Sequence, residues 1–71
     1  MIAITPRQKD VLCCIANGMR RKQAAIALSI EEATIKTHLQ DIKVRLGAST
    51  REHAVAIAFA EGVLGREDIR K

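Results

Sequence analysis

Lys36, Thr37, Gln40 and Lys43 fall on one side of a single amphipathic segment and bring together two ammonium groups, a hydroxyl and an amide, with no carboxylate among them. Such a set suits hydrogen-bonding edges more than bond-breaking chemistry. Lysine can bond the acceptors of guanine, glutamine can pair with adenine, and threonine can offer a methyl to thymine. Thr34, at the start of the same segment, joins this group as a candidate contact. Arg20-Arg21-Lys22 lies one segment earlier, and Arg51 one segment later. Cations so placed suit phosphates, which carry no sequence information but fix position. The candidate DNA-binding residues are therefore Arg21, Lys22, Thr34, Lys36, Thr37, Gln40, Lys43 and Arg51.

Catalytic and metal chemistry find no comparable set. His38 sits at the edge of an apolar stripe, where a packed structural histidine is the plain reading. His53 points outward on a later helix. Neither has a cysteine or carboxylate at ligand spacing, so no metal site and no cofactor are expected. No nucleophile, base and orienting group stand in a usable arrangement, and no enzymatic activity is expected.

The elements that must position these residues follow from periodicity and caps. Ile35, Leu39, Ile42 and Leu46 recur at i, i+4, i+7 and i+11, a buried helical stripe that Gly47 ends. At about 100° per residue this turns Ala33, Lys36, Thr37, Gln40, Lys43 and Val44 outward. Upstream, Thr5-Pro6-Arg7-Gln8 makes a helix start, with Thr5 as cap, Pro6 in the first turn and Gln8 closing a capping box. Val11, Leu12 and Ile15 mark its inner face, Cys14 flanks it, Cys13 points the opposite way, and Gly18 ends it. Ala24, Ala25 and Leu28 face inward on a short second helix, and Ser29-Ile30-Glu31 forms a turn. Ser49 with Glu52 predicts another capping box opening a fourth helix, with Gly62 behind it. Val63 and Leu64 fold back, and Arg66 to Lys71 reads as a fraying charged tail. The fold class is all-α. One domain covers residues 1–71, with helices at about 6–17, 21–28, 32–46 and 50–61 and the tail at 66–71.

Charge sharpens the functional class. The chain has 71 residues and a formal net charge of +4. Nine basic and four acidic residues lie between Arg7 and Arg51, but three basic and four acidic ones from Glu52 onward. The positive field belongs to the first two-thirds, pointing to a polyanion and first to double-stranded DNA. Cys13 and Cys14 are adjacent and cannot make an ordinary disulfide within a helix, which fits a reducing cytoplasm. No apolar run reaches membrane-spanning length, so no membrane partner is expected. The expected location is cytoplasmic, on the nucleoid.

The last third has a different task. Ala54-Val55-Ala56-Ile57-Ala58-Phe59-Ala60 is apolar around the whole helix, more than one small domain can cover. With Ala54, Val55 and Ala58 inward, Ala56, Ile57 and Ala60 are left for a second surface, with His53 beside them. Small residues let two helices approach closely, so a homodimer contact is predicted there.

The ordered set Thr5-Pro6-Arg7, Val11-Leu12, Ala16 and Gly18, Lys22, Ala25 with Leu28 and Ile30, Thr34-Ile35-Lys36 with His38, Ile42, Leu46-Gly47, Arg51 with Ala54-Val55, Ala58 and Gly62 resembles the LuxR-type (GerE-like) helix-turn-helix family. The match runs without gaps from about Thr5 to Leu64. The resemblance implies a four-helix domain whose third helix reads DNA and whose fourth makes a dimer contact. It implies a bacterial transcription regulator binding an approximate inverted repeat, with RNA polymerase as a further partner and no small-molecule ligand. This chain departs from the family's usual pattern at Gln8 (Glu), Arg20 (Ser or Thr), Gln23 (Glu), Glu31 (Ser) and Asp41 (Asn). Losing a Ser or Thr cap costs about 1 kcal/mol, and Arg20-Arg21-Lys22 offsets this with a grip on phosphate.

Two rivals share these residues. One is an adaptor that keeps the fold and binds protein, which Glu31, Glu32, Asp41 and outward Ile26 favour. The other is a promoter-element reader like sigma-factor region four, acting within polymerase. Met1, three residues ahead of the first helix's cap region, suggests a stand-alone regulator over an excised output domain.

Overall fold

The computed structural model describes residues 4–70. Met1, Ile2, Ala3 and Lys71 lie outside the described residues, and with them the stand-alone reading drawn from Met1 and the tip of the tail. Four helices follow in order, α1 Pro6–Ala16, α2 Arg21–Leu28, α3 Glu32–Leu46 and α4 Arg51–Ala60, then a short 3-10 turn over Arg66–Asp68. Among the described residues there is no strand, and the fold is all-α.

Each boundary has a local cause. Thr5 caps α1 through its hydroxyl, which accepts from the Gln8 amide at 3.1 Å, while Gln8 Oε1 accepts from the Thr5 amide at 3.0 Å. This reciprocal pair satisfies two of the donors that a helix start leaves unpaired. Arg20 gives α2 no side-chain cap; Gln23 supplies the return half alone, its Oε1 accepting from the Arg20 amide at 2.8 Å. Ser29 ends α2 in the left-handed region at φ 56°, a conformation that glycine adopts without steric cost. The turn from α2 to α3 is thus held to three residues by a strained serine. Gly47, at φ 68°, ends α3, and Ala48 donates back to the Lys43 carbonyl at 2.8 Å.

α4 corrects an expectation. Thr50, not Ser49, is its cap, accepting from the His53 amide at 3.0 Å. His53 Nδ1 accepts from the Ser49 amide at 3.2 Å, one residue ahead of that cap, so the imidazole takes the Ser49 amide that was expected to go to Glu52. The Glu52 carboxylate turns to the Arg51 guanidinium instead, at 3.1 Å.

The core gathers Val11, Leu12 and Ile15 of α1, Ala24 and Ala25 of α2, the α3 stripe Ile35, Leu39, Ile42 and Leu46, and Ala54, Ala58 and Leu64. Burying each large aliphatic side chain is worth roughly 1.5–3 kcal/mol. The alanines on α2 and α4 let those helices close on α3, so the stripe fixes which face α3 presents outward. Leu28, which the periodicity turns inward, is only half-buried at the core's edge.

The tail also differs from the sequence-based expectation. Where it is described it is tied back to α1: Asn17 Nδ2 donates to the Asp68 carbonyl at 2.7 Å, and Asn17 Oδ1 accepts from the Arg70 amide. The Cys13 thiol donates to the same Asp68 carbonyl at 3.2 Å. Cys13 is consequently half-buried under the tail and not exposed as the helical period alone implies. Burial pushes its thiol above the ordinary thiol range, with the Asp68 charge adding to the effect.

Candidate nucleic-acid interface

Three helices meet at one concave surface. A cleft of about 340 Å³ is lined by Arg21 from the start of α2, by Lys36, Leu39, Gln40 and Lys43 from α3, and by Ser49, Thr50 and Arg51 at the start of α4. Arg21, Lys36, Gln40, Lys43 and Arg51 thus come together from three separate segments. Leu39 is buried at the cleft's base, and Arg21, Lys36 and Gln40 are exposed at its wall. Four cations around one amide make a surface of positive potential, with helix-terminal residues Arg21 and Arg51 at its edges.

The other predicted contacts stand apart from the cleft. Lys22 is exposed on the first turn of α2. Thr34 is exposed on the first turn of α3, and by helical geometry lies on the flank away from Lys36 and Lys43. Thr37 occupies the outermost line of α3, and its hydroxyl donates to the Ala33 carbonyl at 3.1 Å. Ser49 and Thr50, which sequence reasoning does not place among the contacts, also line the cleft; their place between the Gly47 stop and Arg51 is the signal that could have found them.

Acids near this surface are restrained. On the far flank of α3, Asp41 accepts from Arg45 Nε at 2.7 Å and from the Gln8 side-chain amide. The Arg45 guanidinium, and then the Gln8 amide, hold its carboxyl below the usual carboxylate range. Glu52 is likewise lowered, first by a backbone hydrogen bond at the start of α4 and then by Arg51. Arg51 therefore shares its guanidinium with a neighbouring carboxylate, whereas Lys36 and Lys43 lie away from Asp41's flank. Glu31 and Glu32 sit at the α3 start, where the helix dipole favours them.

The predicted dimer residues divide in two. His53, Ala56 and Ala60 are exposed, while Ile57 is half-buried and packed against the core. Ile57 therefore contributes to the monomer's own packing as well as to the outer face. Half-buried His38 stands at the edge of the core beside Asp41, lending charge to the lowering of that carboxyl. Among the described residues, no cluster of three or more His, Cys, Asp or Glu could hold a metal ion, and no helix is long and apolar enough to cross a membrane.

Known proteins give this arrangement a family. Residues 3–58 match the family described as bacterial regulatory proteins, luxR family (GerE). The chain is 37% identical over 67 residues to the quorum sensing-dependent transcriptional regulator VjbR of Brucella abortus, covering 94% of this chain and 26% of that protein. It is 39% identical over 61 residues to the transcriptional regulatory protein YdfI of Bacillus subtilis, covering 86% and 29% respectively. Identity reaches 44% over 62 residues with the uncharacterized transcriptional regulatory protein YhcZ of the same organism, covering 87% and 29%. The chain thus spans between a quarter and a third of the length of these relatives. With the match covering most of its length and a third helix presenting cations beside a short turn, the chain belongs to the luxR family of bacterial regulatory proteins.

Proposed function

We propose that this chain is the DNA-binding domain of a bacterial transcription regulator, with α3 in the major groove. The observation that carries the reading is the convergence of Arg21, Lys36, Gln40, Lys43 and Arg51 on one cleft. α3 lies exposed along this face, and a B-form major groove about 12 Å wide admits one helix. Lys36, Thr37 and Gln40 lie in its N-terminal half, the half that meets base edges in helix-turn-helix proteins. Arg21, Lys22, Lys43 and Arg51 then meet phosphates on either side, with Thr34 at the rim. The relatives named as transcription regulators support the same assignment.

The finer parts of the reading follow from α4. Ala56 and Ala60 are small and exposed, and His53 and the outer edge of Ile57 border them. Two copies meeting there give a two-fold axis, and so an approximate inverted repeat as operator. A regulator of this kind acts in the cytoplasm, on the nucleoid, with RNA polymerase as the machine it addresses.

Salt dependence tests the reading. Four phosphate contacts per protomer give roughly eight per dimer, so log affinity should fall against log salt with a slope near about −7. A slope shallower than about −2 overturns it in favour of a protein-binding adaptor. Ile26, 72% exposed on α2, is the feature that favours the adaptor.

A further inference from the structure

The outermost line of α3 is not polar. Ala33, Thr37 and Val44 follow one another along it, with Val44 79% exposed, the most exposed large hydrophobic among the described residues. A β-branched residue there lowers helix propensity and receives nothing back from packing. Nothing in the fold calls for Val44. Thr37 is also less polar than its name suggests, because its hydroxyl proton is already committed to the Ala33 carbonyl at 3.1 Å. The group it has left to project is its methyl, beside hydroxyl lone pairs that can only accept.

Along the helix this ridge measures roughly 16 Å from Ala33 to Val44 and about 10 Å from Thr37 to Val44. Laid along a groove that is inclined to the duplex axis, the shorter span advances about two base steps of roughly 3.4 Å each. One flank carries Lys36 and Lys43, with Arg21 and Arg51 beyond them across the cleft. The nearest acids are Glu32 at the first turn and Asp41 on the other flank, the latter held by Arg45 and Gln8. An apolar ridge bordered by cations does not match an ordinary protein surface. It matches a polyanion that exposes apolar groups between its charged edges.

Thymine offers such a group: its C5 methyl is the one apolar projection in the major groove, and aliphatic side chains contact it. We infer that Ala33, the Thr37 methyl and Val44 form a methyl-reading ridge that selects thymines in the major groove, with Val44 carrying the contact past the N-terminal half of α3 to a second position about two base steps from that of Thr37. This rests on the DNA-binding reading above and assigns it a base class. Lys36 and Gln40 supply hydrogen bonds alongside, while the ridge decides between thymine and cytosine by contact with a methyl.

The test removes one methyl at a time. A preferred operator is selected from a random DNA pool, and each thymine is then replaced singly by deoxyuridine, which differs from it by the C5 methyl alone. Affinity should fall about fourfold at one to three positions in each half-site, the effect of one buried methylene-sized group. On the protein side, Thr37→Val keeps the methyl, discards the hydroxyl and should bind within twofold of the parent. Thr37→Ser keeps the hydroxyl and should lose about fourfold, with the deoxyuridine penalty at its partner position abolished. Val44→Ala should abolish the penalty at a different position. Specific, salt-dependent binding that no deoxyuridine changes by more than twofold overturns the ridge and leaves the DNA-binding reading standing. The ridge is equally overturned if Thr37→Ser binds normally and Thr37→Val fails. Absence of salt-dependent DNA binding overturns both.

Discussion

Gln8 and Asp41 are hydrogen-bonded partners across the contact between α1 and α3, the amide donating and the carboxylate accepting. Gln8 is 4% exposed and the one buried polar residue among those described, and its Oε1 simultaneously closes the cap of α1. The same side chain therefore ties the start of the first helix to the middle of the third. The luxR-type pattern usually has Glu and Asn at these two positions. Here the carboxylate and the amide have exchanged helices, so two separate departures from the pattern are one compensated pair.

Gln8→Glu should be far worse than its near-identical shape suggests. It puts a carboxylate at a position only 4% exposed and removes the donor to Asp41, so the variant should melt clearly below the parent. Adding Asp41→Asn to that variant restores the amide-carboxylate pair in the usual order and should recover most of the stability. Thermal unfolding of both singles and the double gives the coupling. Additive losses in the double variant would show that the two side chains do not act as a pair.

Acid sensitivity follows from the same carboxylate. Asp41 is held below its ordinary range in the fold, so the unfolded chain binds its proton first and stability rises with pH across that interval. Its contribution is present above the unfolded carboxylate value of about 3.9 and is lost as pH falls through the folded value. Asp41→Asn should flatten the acid limb of a stability-pH curve. Gln8→Glu should tilt it the other way, since two facing carboxylates gain from one shared proton. Parallel acid limbs for Asp41→Asn and the parent would refute the assignment.

The sequence reveals local order and hides distant pairing. Thr5 with Gln8, the four-residue α3 stripe and the glycine stop at Gly47 are each decided within a few helical turns, and periodicity finds them. Asp41 reads as a surface acid because Gln8, its partner on α1, is 33 positions away and only Arg45 is local. Asn17, next to the Gly18 stop, carries no local sign of its role, yet it holds Asp68 and Arg70, 51 and 53 positions on. Cys13 is misplaced for the same reason, since a helical wheel knows nothing of a segment that returns to cover it. The cleft lies between these extremes. Its α3 members share a face that periodicity predicts, but Ser49 and Thr50 join them only through the way α4 docks.

The tail clasp gives a chemical readout. Asn17→Ala removes both side-chain bonds to the tail and should cost about 1 kcal/mol. More specifically, it should uncover the Cys13 thiol. In a Cys14→Ser background, alkylation of Cys13 by iodoacetamide should accelerate several-fold on release of the tail. An unchanged rate would mean that the tail does not cover Cys13 in solution.

The proposed dimer contact through α4 is best probed where the monomer has nothing to lose. Ile57→Asp strikes half-buried packing and mixes folding with association. Ala56→Glu and Ala60→Glu place charge at exposed positions and should leave helicity and Tm nearly unchanged. Both should weaken binding to a two-half-site operator at least tenfold while leaving single half-site binding within about twofold. Equal losses on both DNAs would remove α4 from the dimer contact.

Positioning and reading should separate within the cleft itself. Arg21 stands at the start of α2 and lines the cleft, where in the proposed docking its guanidinium would meet phosphate whatever the sequence. Gln40 stands on α3 between Lys36 and Lys43, and its amide can donate and accept at once, as adenine requires. Arg21→Ala should therefore weaken operator and unrelated DNA alike and make the salt slope shallower by about one per site. Lys22→Ala should act in the same way from outside the cleft. Gln40→Ala should lose roughly 1–3 kcal/mol at a single base position in each half-site, with the salt slope nearly unchanged. Measuring the three variants against the operator and all its single-base substitutions distinguishes the roles. A uniform loss for Gln40→Ala, together with altered base preference for Arg21→Ala, would place the reading group on α2 and reverse the assignment of the two helices.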